Sequence, residues 1–144
     1  MKKFVFSLQS VLNLREQEEK SARTELGKKT AECERIRGKM KAHIALLDRF
    51  EVPENGAVDW SAYQQISDFI RVQNLRLKDD LSCAEERRQN ALAVYREARN
   101  RKKVFEKLKE RRELEFRAEM KEKEDKALDD LFSSRETYHR SLKK

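Results

Sequence analysis

From Leu8 onward the chain sets mostly apolar residues at alternating steps of four and three. The positions are Leu8, Leu12, Arg15, Glu19, Ala22, Leu26, Lys29, Cys33, Ile36, Met40, His43, Leu47 and Phe50. Nine of these 13 are apolar, counting Ala22 and Cys33. An α-helix turns every 3.6 residues, so a 3.5-residue spacing keeps one narrow seam facing a partner helix. A second seam starts at Tyr63 and passes through Ile66, Ile70, Leu77, Leu81, Ala84, Ala91, Tyr95 and Ala98. Between the two lies Val52-Pro53-Glu54-Asn55-Gly56, with the only proline of the chain. Proline removes a backbone donor and disfavours helix in the residue before it, and Asn-Gly is a turn signal. The pattern predicts an all-α fold: two long helices in an antiparallel coiled-coil hairpin, forming a single domain over residues 1–144. A parallel homodimer, each seam meeting its own copy, is the competing arrangement.

The boundaries follow from local chemistry. Ser7 suits an N-cap, its hydroxyl accepting from an amide one turn on, and the first helix is predicted from about 7 to about 50. At 1.5 Å per residue that is roughly 65 Å. Gly27 and Gly38 inside it each cost up to about 1 kcal/mol relative to alanine, and mark either close helix approach or local flexibility. The loop is predicted at about 51–58. Asp59 is the expected cap of the second helix, with Trp60 in its first turn, and this helix runs from about 59 to about 140. Gln73-Asn74 and Asp79-Asp80 leave room for a bend in it. In the first helix Leu26, Ile36, Met40 and Leu47 are the expected core. Near the end Ala127, Leu128, Leu131, Phe132, Tyr138 and Leu142 return at helical spacing, and are expected to pack on the start of the first helix.

Composition supports paired helices rather than a globular core. Charged residues make up 42% of the 144 and aromatic ones 8%, with a mean hydropathy of −0.99. That leaves little apolar material for enclosed positions. High charge also marks disorder, but disorder does not call for apolar residues in a matched period. The net charge is +7. Residues 87–112 carry 11 Lys or Arg against three Glu, a local +8. Such a stretch is either a solvated helix face or a surface for an acidic, phosphate-rich or anionic-membrane partner. In 96–126, 22 of 31 residues are charged, with opposite signs at helical spacing, such as Lys109 with Glu113.

No catalytic constellation is legible. His43 and His139 stand far apart, and neither neighbours a cysteine or an H-E-x-x-H motif. His43 lies on the seam, where a polar residue more often sets register than binds metal. Cys33 and Cys83 form no C-x-x-C; Cys33 falls on the seam as a small apolar side chain, and both are expected reduced. No phosphate-binding glycine motif occurs. The expectation is a non-enzyme without cofactor or metal. Nucleic acid is not expected, because Glu97, Glu106 and Glu110 interrupt the basic stretch and no clean zipper follows it. The apolar run at Phe4-Val5-Phe6 is too short for a signal peptide, and no 18-residue apolar run exists. These features place the chain in the cytoplasm.

Three stretches carry a family resemblance. Phe4-x-Phe6-x-Leu8-Gln9-x-Val11-Leu12-x-Leu14-Arg15-Glu16 resembles the F-x-F-x-L-x-x-V-L-x-L-R-E opening of the FliJ family, small stalk proteins of the bacterial flagellar export apparatus. Trp60-x-x-Tyr63-Gln64-Gln65 is similar to the family's start of helix two, and Tyr95-Arg96-Glu97-Ala98-Arg99-Asn100-Arg101-Lys102-Lys103 to its basic segment. Ile66 departs from members that carry an aromatic there. The resemblance covers nearly the whole chain and implies a shaft like the central stalk of a rotary ATPase. It implies three partners: a hexameric flagellar export ATPase, the cytoplasmic domain of a membrane export gate, and export chaperones. It further implies a role in type III secretion, flagellum assembly, motility and chemotaxis. The chain would be peripheral at the cytoplasmic face of the inner membrane through its partners and monomeric when isolated. Injectisome stalks are close relatives and give the alternative subtype; a generic coiled-coil adaptor is the other alternative.

The resemblance also assigns surfaces. Tyr63, Ile66, Ile70, Gln73 and Leu77, spaced 3, 4, 3 and 4, are the expected export-gate face, or else merely continue the coiled coil. At the end where the chain termini meet, Phe4, Phe6, Arg15, Arg111, Arg112 and Arg117 are the expected contacts to the ATPase ring. There Phe4, Phe6 and Leu8 would brace the two arms together with Leu128, Leu131 and Phe132.

Overall fold

The computed structural model describes residues 2–50 and 57–144. Two helices account for nearly all of them: α1 at Gln9–Arg49 and α2 at Ala57–Leu142. They pack against each other as an all-α helical hairpin, with no strand among the described residues. The turn expected at Pro53 to Gly56 lies outside those residues. Contacts divide the chain into two compact units, one of Gln17–Arg99 and one of Met1–Glu16 with Asn100–Lys144.

In the Gln17–Arg99 unit the helices run antiparallel. Glu32 meets Arg87 at 3.4 Å, Arg37 meets Glu85, and further on His43 Nδ1 lies 2.9 Å from Asn74 Oδ1. The predicted α1 seam is the buried one: Glu19, Ala22, Cys33 and Ile36 are enclosed, and Leu26, Lys29, Met40, His43 and Leu47 are half-buried. Only Phe50, at 38% exposure, falls off it. Cys33, Ile36 and Ala84 form the tightest cluster, flanked by Met40, Leu77 and Leu81. Of the expected core, Ile36 is therefore fully enclosed, while Leu26, Met40 and Leu47 each keep one edge in water.

The α2 seam differs from the sequence reading at one step. Ser67, at 6% exposure, takes the inward position expected of Ile66, which is 37% exposed. Tyr63, Ser67, Ile70, Asn74 and Leu77 keep the alternation of four and three. Spacing thus outranks hydrophobicity, since a residue one position off the seam points away from the partner whatever its side chain. Polar seam positions are matched rather than left bare. Glu19 accepts from Arg23 one turn later at 2.5 Å. That carboxylate first, and Tyr95 second, hold the Arg23 guanidinium above its ordinary value. Arg88 fills the seam step between Ala84 and Ala91 and donates to Glu85 at 3.0 Å.

In the other unit an extended stretch precedes α1. Phe6 is 6% exposed while Val5 is 81% exposed, as alternation along extended backbone requires. The Phe4 and Phe116 rings lie 5.7 Å apart, and the Arg15 guanidinium sits 5.9 Å from the centre of the Phe105 ring. Ser7 is not the cap. Leu8 holds that place, its carbonyl accepting the first helical bond from Leu12 N at 3.0 Å, with Gln9 N tied to Phe6 O at 3.1 Å. Asp59 is likewise no cap; α2 begins two residues earlier, and the carboxylate sits in the first turn, where it favours the helix dipole.

Two further expectations are corrected. The terminal apolar cluster does not pack on α1: every residue of 121–144 is exposed. The aromatic contact between α2 and the start of the chain, Phe4 on Phe116, lies before this segment. This end of α2 is held by its own ion pairs, Glu122 with Lys126 at 2.7 Å and Glu136 with Arg140 at 3.3 Å. Both pairs have the acid first, the favourable order along a helix. The helix glycines mark no close approach, since a Cβ on Gly27 or Gly38 would meet nothing within 4 Å. Gly27→Ala and Gly38→Ala should therefore each raise stability, by up to about 1 kcal/mol. Urea unfolding checks this; a loss of stability at either site would show that glycine is needed there.

Candidate interaction surfaces

The five residues expected at the gate face do not share one exposed surface. Ile70 is 4% exposed, and Tyr63, Gln73 and Leu77 are half-buried, so they belong wholly or partly to the seam. Ile66 alone of the five is exposed, and it is joined by outward residues that the heptad spacing does not single out. Phe69 at 64%, Val72 at 47% and Leu75 at 63% follow Ile66 at steps of three. Steps of three drift steadily around a helix, so these side chains wind along the outer surface of α2. Their signal in the sequence was a second apolar series running beside the first. Trp60 stacks on Tyr63 with ring centres 5.9 Å apart, which sets both aromatic rings near the start of this strip.

At the end carrying the chain termini, the expected ring-facing residues differ in availability. Phe6 is enclosed, Phe4 is half-buried against Phe116, and Arg15 is half-buried against Phe105. Arg111 pairs with Glu115 at 3.1 Å and Arg117 with Glu113 at 2.8 Å. Glu113 thus takes Arg117 rather than the expected Lys109. Arg112 is exposed and makes no ion pair among the described residues. Leu128, Leu131 and Phe132, expected to brace the arms here, are 51%, 67% and 66% exposed. Along the basic stretch Arg87 and Arg88 are engaged by Glu32 and Glu85, whereas Arg96, Arg99, Lys103 and Lys107 are exposed and make no ion pair among the described residues.

Cys33 and Cys83 are free thiols, one enclosed in the seam and one exposed. Among the described residues no group of three or more His, Cys, Asp or Glu could hold a metal ion. No described helix is long and apolar enough to cross a membrane.

Fold and surfaces define a helical-hairpin protein that presents charged and apolar strips along two long helices. Residues 4–142 match the family model described as Flagellar FliJ protein, and the chain belongs to the FliJ family. It is thereby a component of the flagellar type III export apparatus. The family is one of export stalk proteins rather than of enzymes. No curated protein matches the chain, and no solved structure does.

Proposed function

We propose that this chain is the stalk of the export ATPase. It inserts in the hexameric ring, promotes the ring's assembly or activity, and links it to the cytoplasmic domain of the export gate and to export chaperones. The observation that carries this reading is the family match over 4–142, together with a hairpin whose helices pair along their seams and leave charged flanks outward. Two paired helices are roughly 20 Å across, twice the width of one helix with side chains. A shaft of that kind supplies no catalytic group. It changes the rate by favouring one conformation of the ring over another. In this reading the protein acts at the cytoplasmic face of the inner membrane, held there by its partners, and is monomeric when isolated.

The ring is gripped through charge at the level of Arg111, Arg112 and Arg117. Arg112 is free to reach a carboxylate on a pore loop, while Arg111 and Arg117 must exchange partners one turn away on their own helix. Exposed pairs contribute about 0–1 kcal/mol each, so several must act together. Stimulation of the purified ATPase should fall several-fold between low and roughly half-molar salt. Reversing all three arginines to glutamate should abolish it, with Arg112→Glu the most damaging single change. Stimulation that survived both salt and the triple reversal would overturn this grip.

A further inference from the structure

We propose that the free end of α2 is a docking surface for one amphipathic helix of another protein, and that this helix carries an aspartate or glutamate within its apolar stripe, opposite Arg135. Leu128, Leu131, Arg135, Tyr138 and Leu142 are spaced 3, 4, 3 and 4, the same alternation that closes both paired seams. Here nothing lies opposite: the four apolar members are between 51% and 67% exposed, and Phe132 beside them is 66% exposed. Together with Ser134 and Arg135, four of these side chains line one shallow groove. A strip of this period matches a helix laid along it rather than a loop or a flat sheet.

Arg135 specifies the chemistry of the occupant. It sits in the middle of the strip and makes no ion pair among the described residues, whereas Arg140 and Lys126 are each paired within the helix. Covering the strip would strand a guanidinium away from water, which costs several kcal/mol unless a carboxylate meets it. A second copy of this chain does not provide one, because Arg135 is the central of the five positions and faces itself in parallel or antiparallel register. A lipid surface fits no better. Lys126, Arg135, Arg140, Lys143 and Lys144 stand here with Asp129, Asp130 and Glu136, and with Lys126 paired to Glu122 and Arg140 to Glu136 the acids interrupt the cationic face that would draw the strip onto anionic headgroups. This inference does not depend on the ring reading above.

The test uses the full chain and two synthetic helical peptides of about three heptads with leucine at the seam positions. One peptide bears glutamate at the position facing Arg135, its twin lysine. By fluorescence anisotropy the glutamate peptide should bind at least about tenfold more tightly, a difference of about 1.4 kcal/mol. Arg135→Glu should invert the preference. Leu131→Asp should remove binding of both peptides with the circular dichroism unchanged, since the site packs on nothing. Equal affinities, or no binding of the glutamate peptide, would overturn the proposal. So would a wild-type dimer in sedimentation that Leu131→Asp dissolves, which would put a second copy on the strip. Flotation on phosphatidylserine vesicles lost in the same variant would assign it to lipid instead.

Discussion

Ile36→Ala should lower the unfolding free energy by about 2–4 kcal/mol, the usual cost of truncating an enclosed aliphatic side chain. Ile36 is 5% exposed and touches both helices' share of the tightest cluster, with Cys33, Ala84 and the half-buried Met40, Leu77 and Leu81. The small neighbours Cys33 and Ala84 cannot swing in to fill the gap, so the cavity term should be felt. Among the described residues only Phe6, Leu12, Ala22, Cys33, Ile36, Ile70 and Ala84 are apolar and buried. With so few enclosed positions, and domain stabilities of about 5–15 kcal/mol, one truncation removes a large share. Leu47→Ala should cost less, because Leu47 already keeps one edge in water. Leu75→Ala, on the outer surface at 63% exposure, should move stability by no more than about 0.5 kcal/mol. Urea titrations rank the three. An Ile36 variant no weaker than the Leu75 variant would remove the seam as the source of stability.

That ranking rests on a seam that was legible for α1 almost residue by residue. Twelve of the 13 positions are buried or half-buried, polar Arg15, Glu19, Lys29 and His43 included. The alternation is legible there because it runs unbroken through the polar residues. In α2 hydrophobicity misleads: Ile66 stands one position before Ser67, which the alternation carried back from Leu81 through Leu77 and Asn74 selects. The error carried into the candidate gate face, which mixed the inward Ile70 with the outward Ile66. Phe69 is hidden for the same reason: with Ile66 placed inward, the three-residue series running through it has no visible beginning.

The ends were less legible because they depend on partners that a period cannot reveal. Ser7 and Asp59 are good capping residues by chemistry, yet α1 is capped at Leu8 and α2 already begins at Ala57. Whether Leu128 to Leu142 would find a partner depended on register. Phe4 meets Phe116, while every residue after Met120 is exposed. A strip with the right period and nothing opposite it looks the same, in sequence, as one that is paired.

Separating the two apolar series of α2 yields the sharpest functional expectation. Ile70→Asp should unfold much of the Gln17–Arg99 unit, because it puts a carboxyl at a position 4% exposed. The loss combines about 2–4 kcal/mol of aliphatic burial with the cost of desolvating an acid that has no partner. Ile66→Asp with Phe69→Asp places the same chemistry on the outer surface, where water already reaches both side chains. That double variant should keep its helicity and its melting temperature. If the proposed link to the export gate runs through this strip, binding to the purified cytoplasmic domain of the gate should weaken at least about tenfold, as expected on losing a central aromatic anchor. ATPase stimulation should be retained, since Arg111, Arg112 and Arg117 are unchanged. Gate binding that persisted in the double variant would move the contact off this strip. Unfolding of that variant would instead return Ile66 and Phe69 to the core.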